Sequence, residues 1–402
     1  MSALRVAVVG LGWAGRELWL PLLGGHPGFE VVAVVDPDPA ARAAFAGTTA
    51  PGAPRADTRA DVRTDTRRAP TPRPTGPPSP PTARPPSRPA VYATADALTA
   101  EAVDLAVVAV PNHLHAGVAA ALLGRGVPVF LEKPVCLTPA EADVLAAAER
   151  DGGAVLLAGS AAPHRGDVTA LARLLPDLGR IRHVDLSWVR ARGVPRAGGW
   201  FTQRGKAGGG VLFDLGWHLF DTLSSLLGPS PFTQVVGVTS DDFVNAGDWG
   251  AAWRRDGPGD PATGDVEDTA RGFLVRDDGV SVTLHTGWAS HEARDVTRVR
   301  VVGSAGTADL GCTFGFSPNR DPHPVLTLTR EGVTTPVPVP DEPIGSEYRR
   351  QLDGLAALLT DPRRRGRAVA EARTTVRVIE DFYASAHARR QDGPHATAGT
   401  RP

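Results

Sequence analysis

Residues 4–15 read LRVAVVGLGWAG, and this stretch decides the fold. A short β-branched run ends at Gly10, and after Gly15 the segment GRELWLPLLGGHP (15–27) carries helical apolar spacing at Leu18, Leu22 and Leu23 until Gly24, Gly25 and Pro27 stop it. Gly10, Gly12 and Gly15 therefore sit at a strand-to-helix turn. Gly10 permits the tight turn, Gly12 lets the backbone approach a pyrophosphate, and Gly15 lets the helix pack close to the sheet with its N–H groups aimed at the phosphates. The next strand pattern, FEVVAVVD (29–36), ends at Asp36, where a carboxylate can accept from ribose hydroxyls. That carboxylate would repel a 2′-phosphate, which favours NAD over NADP, although Arg42 keeps NADP possible.

The alternation continues outward. ADALTAEAVDLAVVAVP (95–111) predicts a short helix and a strand, NHLHAGVAAALLGRG (112–126) a helix, VPVFLEKP (127–134) a strand, TPAEADVLAAAERDG (138–152) a helix with Thr138 and Glu141 spaced as a capping box, and AVLLAGS (154–160) one more strand. Repeated strand and helix imply a doubly wound parallel sheet over residues 1–160. Between Gly47 and Ala90 the pattern breaks into twelve prolines, eight arginines and three aspartates. So polar a stretch cannot offset its ordering entropy by burial, and it reads as a disordered insertion loop or as a basic arm for a partner.

From residue 161 to 389 the rhythm is that of an α+β domain. RIRHVDLSWVRA (180–191), TQVVGVT (233–239), TARGFLVRDD (269–278), GVSVTLHTGWA (279–289), TRVRVVGS (297–304), GTADLG (306–311) and VLTLTREGVTTPVPVP (325–340) read as strands, with Asp-Asp-Gly and Glu-Gly turns that suggest a large, mostly antiparallel open sheet. Helices are expected at 211–227, 346–360 and 369–389, followed by a flexible tail, 390–402. The fold class is thus α/β, a Rossmann domain followed by an α+β domain.

A length of 402 residues suits two cores, and a formal charge of −1 gives no compositional support for nucleic acid or an anionic membrane surface. Two cysteines, Cys136 and Cys312, cannot make a disulfide scaffold, and no leader precedes the first strand, so a cytoplasmic protein is expected. Of 43 basic residues only Lys133 and Lys206 are lysine. Lys133 lies in FLEKPV (130–135), at the carboxyl end of a predicted parallel strand where such sheets bind ligands. Its ammonium can hydrogen-bond a substrate hydroxyl; a surface pair with Glu132 is the plainer alternative. In AGGGVLFDLGWHLFD (207–221) Asp214, His218 and Asp221 share one helical face. That stripe reads as an acid/base site, a solvated face, or an Asp/His chelate; with no third ligand nearby, no metal site is expected.

These motifs together, VAVVGLGWAG, VVDPDP, VAVPNHLHAGVAAALLGRGVPVFLEKP and AGGGVLFDLGWHLFD, resemble those of the Gfo/Idh/MocA oxidoreductases, which include glucose-fructose oxidoreductase and inositol dehydrogenase. The resemblance implies an NAD(P)-dependent enzyme that interconverts a secondary alcohol and a ketone on a sugar, aminosugar or cyclitol. Lys133, Asp214 and His218 would surround the reacting carbon, and Glu132 would lie near the nicotinamide ribose. Trp13, Ala14, Pro111, Asn112 and His115 would join Gly10, Gly12, Gly15, Asp36, Glu132 and Lys133 around the cofactor, with Arg165, Lys206 and Asp221 toward the substrate. It also implies a homo-oligomer, dimer or tetramer, built on the second sheet. Two other functions share these motifs: a ligand-sensing regulator without catalysis, and a redox-neutral, NAD-dependent glycoside cleavage. The proline-rich insertion and GSAAPHRGDVTAL (159–171) depart from the pattern, and Tyr92, Tyr348 and Tyr383 lie outside it.

Overall fold

A computed structural model describes residues 3–47, 88–251 and 263–392. Most of the insertion and the last ten residues of the tail lie outside the described residues. Six strands, β1 (Leu4–Val9), β2 (Phe29–Val35), β3 (Ala90–Tyr92), β4 (Leu105–Val108), β5 (Val129–Glu132) and β6 (Leu156–Gly159), form a sheet of order β3-β2-β1-β4-β5-β6. Every pairing in it is parallel. Because β1 and β4 are central and neighbours, the chain reverses its winding between them, and the carboxyl ends of β1 and β4 open the crevice where such sheets take ligands. Helices α1 (Leu20–Gly24), α2 (Pro39–Gly47), α3 (His115–Gly124) and α4 (Pro139–Gly152) make the connections, with a π-helical turn, Ala14–Trp19, ahead of α1. The predicted capping box forms with a shift: Thr138 Oγ1 accepts from Glu141 N at 3.1 Å, but Glu141 Oε2 accepts from Leu137 N at 2.6 Å, one residue earlier than the motif requires.

Helix α5 (Gly166–Leu174) leads to the second sheet, which contains β7 (Ile181–Val189), β8 (Phe232–Ser240), β9 (Thr269–Arg276), β10 (Ser281–Gly287), β11 (Val296–Gly303), β12 (Thr307–Cys312), β13 (Val325–Arg330) and β14 (Val333–Val337). Its order is β14-β13-β12-β11-β7-β10-β9-β8, and only β7 and β10 pair in parallel. The expected tight turns are present: Gly279 takes φ +82° between β9 and β10, and Glu331 and Gly332 both take positive φ between β13 and β14, as a two-residue hairpin demands. Helix α6 (Arg204–Ala207) and a π-helical turn, Leu212–Gly216, precede α7 (Trp217–Leu227); α8 (Ser346–Thr360) and α9 (Arg367–Asp392) close the chain.

The sheets are fastened by those last helices. Gly237 of β8 and Gly272 of β9 are cross-strand partners, and an added Cβ on either would meet the Phe382 ring of α9 at 2.4 Å. Their bare backbones let the helix settle onto the sheet. Leu352 and Leu355 of α8 return instead to the first domain, in one core with Trp19, Leu23 and Phe130. A second core is continuous from Ala7 and Val108 of the first sheet to Leu186, Leu284 and Phe382. Among the described residues no helix is long and apolar enough to cross a membrane.

Candidate functional site

The glycine turn is built as its spacing demands. Gly10 holds φ +99°, and a Cβ there would meet the Ala109 carbonyl oxygen at 2.5 Å; one on Gly15 would meet the Gly10 carbonyl oxygen at 1.9 Å. Gly12, by contrast, faces open space, with nothing within 4 Å of a Cβ. Asp36 closes the turn, its Oδ2 accepting from Leu11 N at 2.7 Å and its Oδ1 from Asp38 N at 2.8 Å. A bare backbone facing open space beside a carboxylate at the end of β2 fits a dinucleotide. Arg42 lies close by but is engaged by backbone, donating to the Asp36 and Pro37 carbonyls at 2.7 and 2.9 Å. Ala14 begins the π-helical turn, and the exposed Trp13 meets Phe316 of the second domain edge to face at 5.6 Å.

The second half of the crevice is at the end of β5. Glu132 accepts from Trp19 Nε1 at 2.7 Å through Oε1 and from Lys133 N at 3.1 Å through Oε2; burial raises its carboxyl above the usual range. The Lys133–Pro134 peptide is cis. Lys133 Nζ donates to Asp214 Oδ1 at 2.7 Å and to the Asp214 carbonyl at 3.3 Å. The other carboxylate oxygen, Oδ2, accepts from Trp288 Nε1 at 2.9 Å and lies 3.8 Å from Arg190 Nη1. Lysine and aspartate side chains are only 16% and 8% exposed, so the pair is desolvated yet still reachable. It is no surface pair, and the lysine's partner is Asp214 rather than Glu132.

His218 lies one turn further along. Its ring is 5.5 Å from Trp188, which in turn meets Phe314 edge to face and lies beneath the Arg190 guanidinium. Burial, then the charges of Lys133 and Arg190, push the imidazole down to about 3, while Asp214 pulls the other way. It is therefore neutral near pH 7. The expectation that Asp214 chiefly orients His218 needs refining. The π-helical turn separates the two from regular α spacing, and the short contacts of Asp214 go to Lys133 and Trp288.

Five expected residues are placed elsewhere. His115 is buried, with Nδ1 2.6 Å from the Pro134 carbonyl and Nε2 2.8 Å from the Val110 carbonyl. Burial pushes the imidazole down to about 4, so the neutral ring donates to one of these two carbonyls and stands between the ends of β4 and β5. Asn112, just after Pro111, is also buried and donates to the Ala207 carbonyl at 3.1 Å, tying the first domain to α6. Arg165 forks onto Asp167 at 3.0 and 2.7 Å, lies 3.7 Å from Glu347, and covers the Phe314 ring. That ring separates it from Trp188, so it supports the wall and does not line the ion pair. Lys206 is exposed on α6, and Asp221, whose Oδ2 is buried without a hydrogen bond, faces Ser160. Burial pushes the Asp221 carboxyl up to about 7. No three of the described His, Cys, Asp and Glu residues group to hold a metal ion.

Sequence reasoning missed Trp188, Arg190 and Trp288, which come from the ends of β7 and β10 and whose only signal is an aromatic near a strand end. It also missed Glu267, which accepts from Gly210 N and Leu212 N at 3.0 and 3.1 Å and from Tyr383 Oη at 2.7 Å, holding the start of the Asp214 turn.

Residues 4–160 match the model of the oxidoreductase family with an NAD-binding Rossmann fold, and residues 176–309 match the GFO/IDH/MocA C-terminal domain. A protein of Amycolatopsis mediterranei (strain S699), assigned as a UDP-kanosamine synthase oxidoreductase subunit, is 64% identical over 391 residues, 97% of this chain and 98% of its own length. The D-glucoside 3-dehydrogenase of Escherichia coli (strain K12) is 31% identical over 46% of this chain and 52% of its own. Among solved structures, the aldose-aldose oxidoreductase of Caulobacter crescentus superposes with a TM-score of 0.69 at 22% identity, over 96% of this chain and 98% of that one, a likeness of fold.

Proposed function

The chain belongs to the GFO/IDH/MocA oxidoreductases, with an NAD-binding Rossmann domain, and from that premise we propose that it oxidises a secondary hydroxyl of a UDP-linked hexose to a ketone. The observation that carries the reading is the desolvated Lys133–Asp214 pair at the end of β5, with neutral His218 beside it. The name of the 64% identical relative supports the UDP-sugar. An amine can be installed on a sugar carbon once that carbon is a ketone, and the word subunit in the same name suggests a second polypeptide that uses it.

Bound NAD supplies the hydride acceptor. The glycine turn and Asp36 would hold it, with Glu132 and Lys133 at the nicotinamide end. Lys133, fixed by Asp214, donates a hydrogen bond to the substrate oxygen and stabilises the negative charge that grows there as its proton leaves. His218, neutral and desolvated, accepts that proton, and Asp214 stabilises the imidazolium that results. Trp288 and Arg190 keep the carboxylate turned toward the lysine, so the charge pattern is set before substrate arrives. Outward-facing Val236, Val238 and Phe273 at the β8–β9 edge supply an apolar patch through which copies of the chain would associate.

NADH formation with a panel of UDP-hexoses tests the reading. Changing His218 to Ala lowers turnover on the accepted sugar by about a hundredfold or more; undiminished turnover would remove His218 from the chemistry. Failure of every UDP-hexose, with a free polyol oxidised instead, would overturn the substrate class.

A further inference from the structure

Two strand ends that reach the ion pair continue into a cavity that the proposed chemistry has not used. Arg190 and Trp288 touch Asp214; two residues beyond the first lies Arg192, and three beyond the second lies His291. Together with Trp249, Ser290, Glu292 and Asn319 they line a cavity of about 430 Å³, a size that small ligands occupy. The Arg192 guanidinium lies 4.7 Å from the centre of the Trp249 ring and donates to the Asp248 carbonyl at 2.7 Å; the His291 ring meets the same indole edge-on at 5.3 Å.

We propose that this cavity is the subsite for the nucleoside diphosphate arm of the substrate. The proposal rests on the UDP-hexose reading and adds to it where the nucleotide sits. Arginine supplies the charge a diphosphate needs, and a half-exposed indole, packed by Phe243 and Arg192, with a neighbouring imidazole offers aromatic contact for a base. Two or three residues of chain span at most about 7 to 10 Å, within the reach from a ring carbon undergoing oxidation to the phosphates on the anomeric carbon. The cavity is also a built one. Ser290 Oγ donates to the Arg190 carbonyl at 3.0 Å, Val194 N to the Trp249 carbonyl at 3.0 Å, and Asn319 Nδ2 to the Ala293 carbonyl at 3.2 Å, so the loops carrying the aromatic and cationic groups are cross-linked to the two strand ends.

A second cavity, of about 290 Å³, contains Arg165 and Arg320 but also Asp167, Asp321, Asp341, Glu342 and Glu347. That surplus of carboxylates would repel a diphosphate. Around Arg192, Glu292 is the one lining carboxylate among the described residues.

The NAD-loaded enzyme titrated with UDP alone tests the subsite by calorimetry, in the wild type and in Arg192→Gln and Trp249→Ala. Arg192→Gln is an exposed, conservative change that keeps the test valid if loss of the indole disturbs the loop. Base stacking on an aromatic ring supports roughly ten- to hundredfold in affinity. The expected result is UDP binding by the wild type, weakened about tenfold or more in each variant, with KM for the oxidised UDP-hexose raised in step and kcat changed far less. Absence of UDP binding by the wild type, or unchanged UDP affinity and KM in both variants, would overturn the subsite. UDP binding lost in the variants with no UDP-hexose oxidised would retain the subsite and refute the substrate reading on which it was built.

Discussion

The carboxyl end of β5 and the carboxyl ends of β7 and β10 face the same carboxylate, but they hold it by different means. From the first sheet comes one charged group on a short, continuous motif: Glu132 ends the strand, Lys133 follows it directly, and the lysine makes the 2.7 Å contact. From the second come aromatic side chains that position: Trp288 donates one neutral N–H at 2.9 Å, and Trp188 backs His218 while Arg190 lies further off, at 3.8 Å. In the proposed reaction one region supplies the charge that meets the substrate and the other the surroundings that keep that charge unscreened. A site divided this way can change its substrate wall without touching its proton chemistry.

The division is sharpest if the two contacts to Asp214 are cut separately. Changing Lys133 to Met keeps the side-chain stem but removes the ammonium, and turnover falls by roughly 10²- to 10⁴-fold. The same change leaves a buried carboxylate without its partner, which costs about 3 kcal/mol of stability in a denaturant titration. Changing Trp288 to Phe removes one hydrogen bond to a charge, about 1.5 to 3 kcal/mol, and turnover falls only about tenfold. Equal losses of turnover in the two variants would show that the second sheet contributes as much chemistry as the first.

A smaller contrast lies within the glycine turn. Gly15→Ala forces a Cβ against the Gly10 carbonyl and costs about 3 kcal/mol, several degrees of Tm. Gly12→Ala adds its methyl to open space, so Tm holds while NAD affinity drops about tenfold or more. If Gly12→Ala bound NAD normally, the pyrophosphate would not pass over that residue.

A pH-dependent effect concerns Asp221, whose carboxyl burial raises from 3.8 to about 7. The unfolded chain gives up this proton at lower pH than the folded one, so stability is full below about pH 4 and declines as pH climbs toward 7. Asp221→Asn removes that decline: its Tm advantage is absent at low pH and present above neutrality. His218 acts in the opposite sense. Its pKa, lowered from 6.5 to about 3, lets stability fall as pH drops through that window.

The first sheet was legible because its signals are local. A β-branched run, three glycines at fixed spacing and an aspartate at the next strand end each occupy a few consecutive residues, and so does the Glu-Lys-Pro that carries the lysine. The second sheet was legible as a sheet, through period-two alternation and turn residues, but not as half of a site. In an alternating strand Trp188 reads as core, which it also is, and nothing local shows that it backs a histidine 30 residues on. Arg165 illustrates the converse: an arginine at the start of the second domain suggested substrate, yet Asp167 two residues later was the nearer and stronger partner. His115 and Asn112 stood in the right motif, but whether such groups face a ligand or a backbone carbonyl depends on which strand ends fold beside them.

Lys133 and Asp214 are separated by 81 residues, the one following β5 and the other in the helical turn Leu212–Gly216, while the second fastener of Asp214, Trp288, is 74 residues further along. Neither half of the chain can assemble the ion pair alone. Recovery of turnover after denaturation therefore reports the docking of one half onto the other.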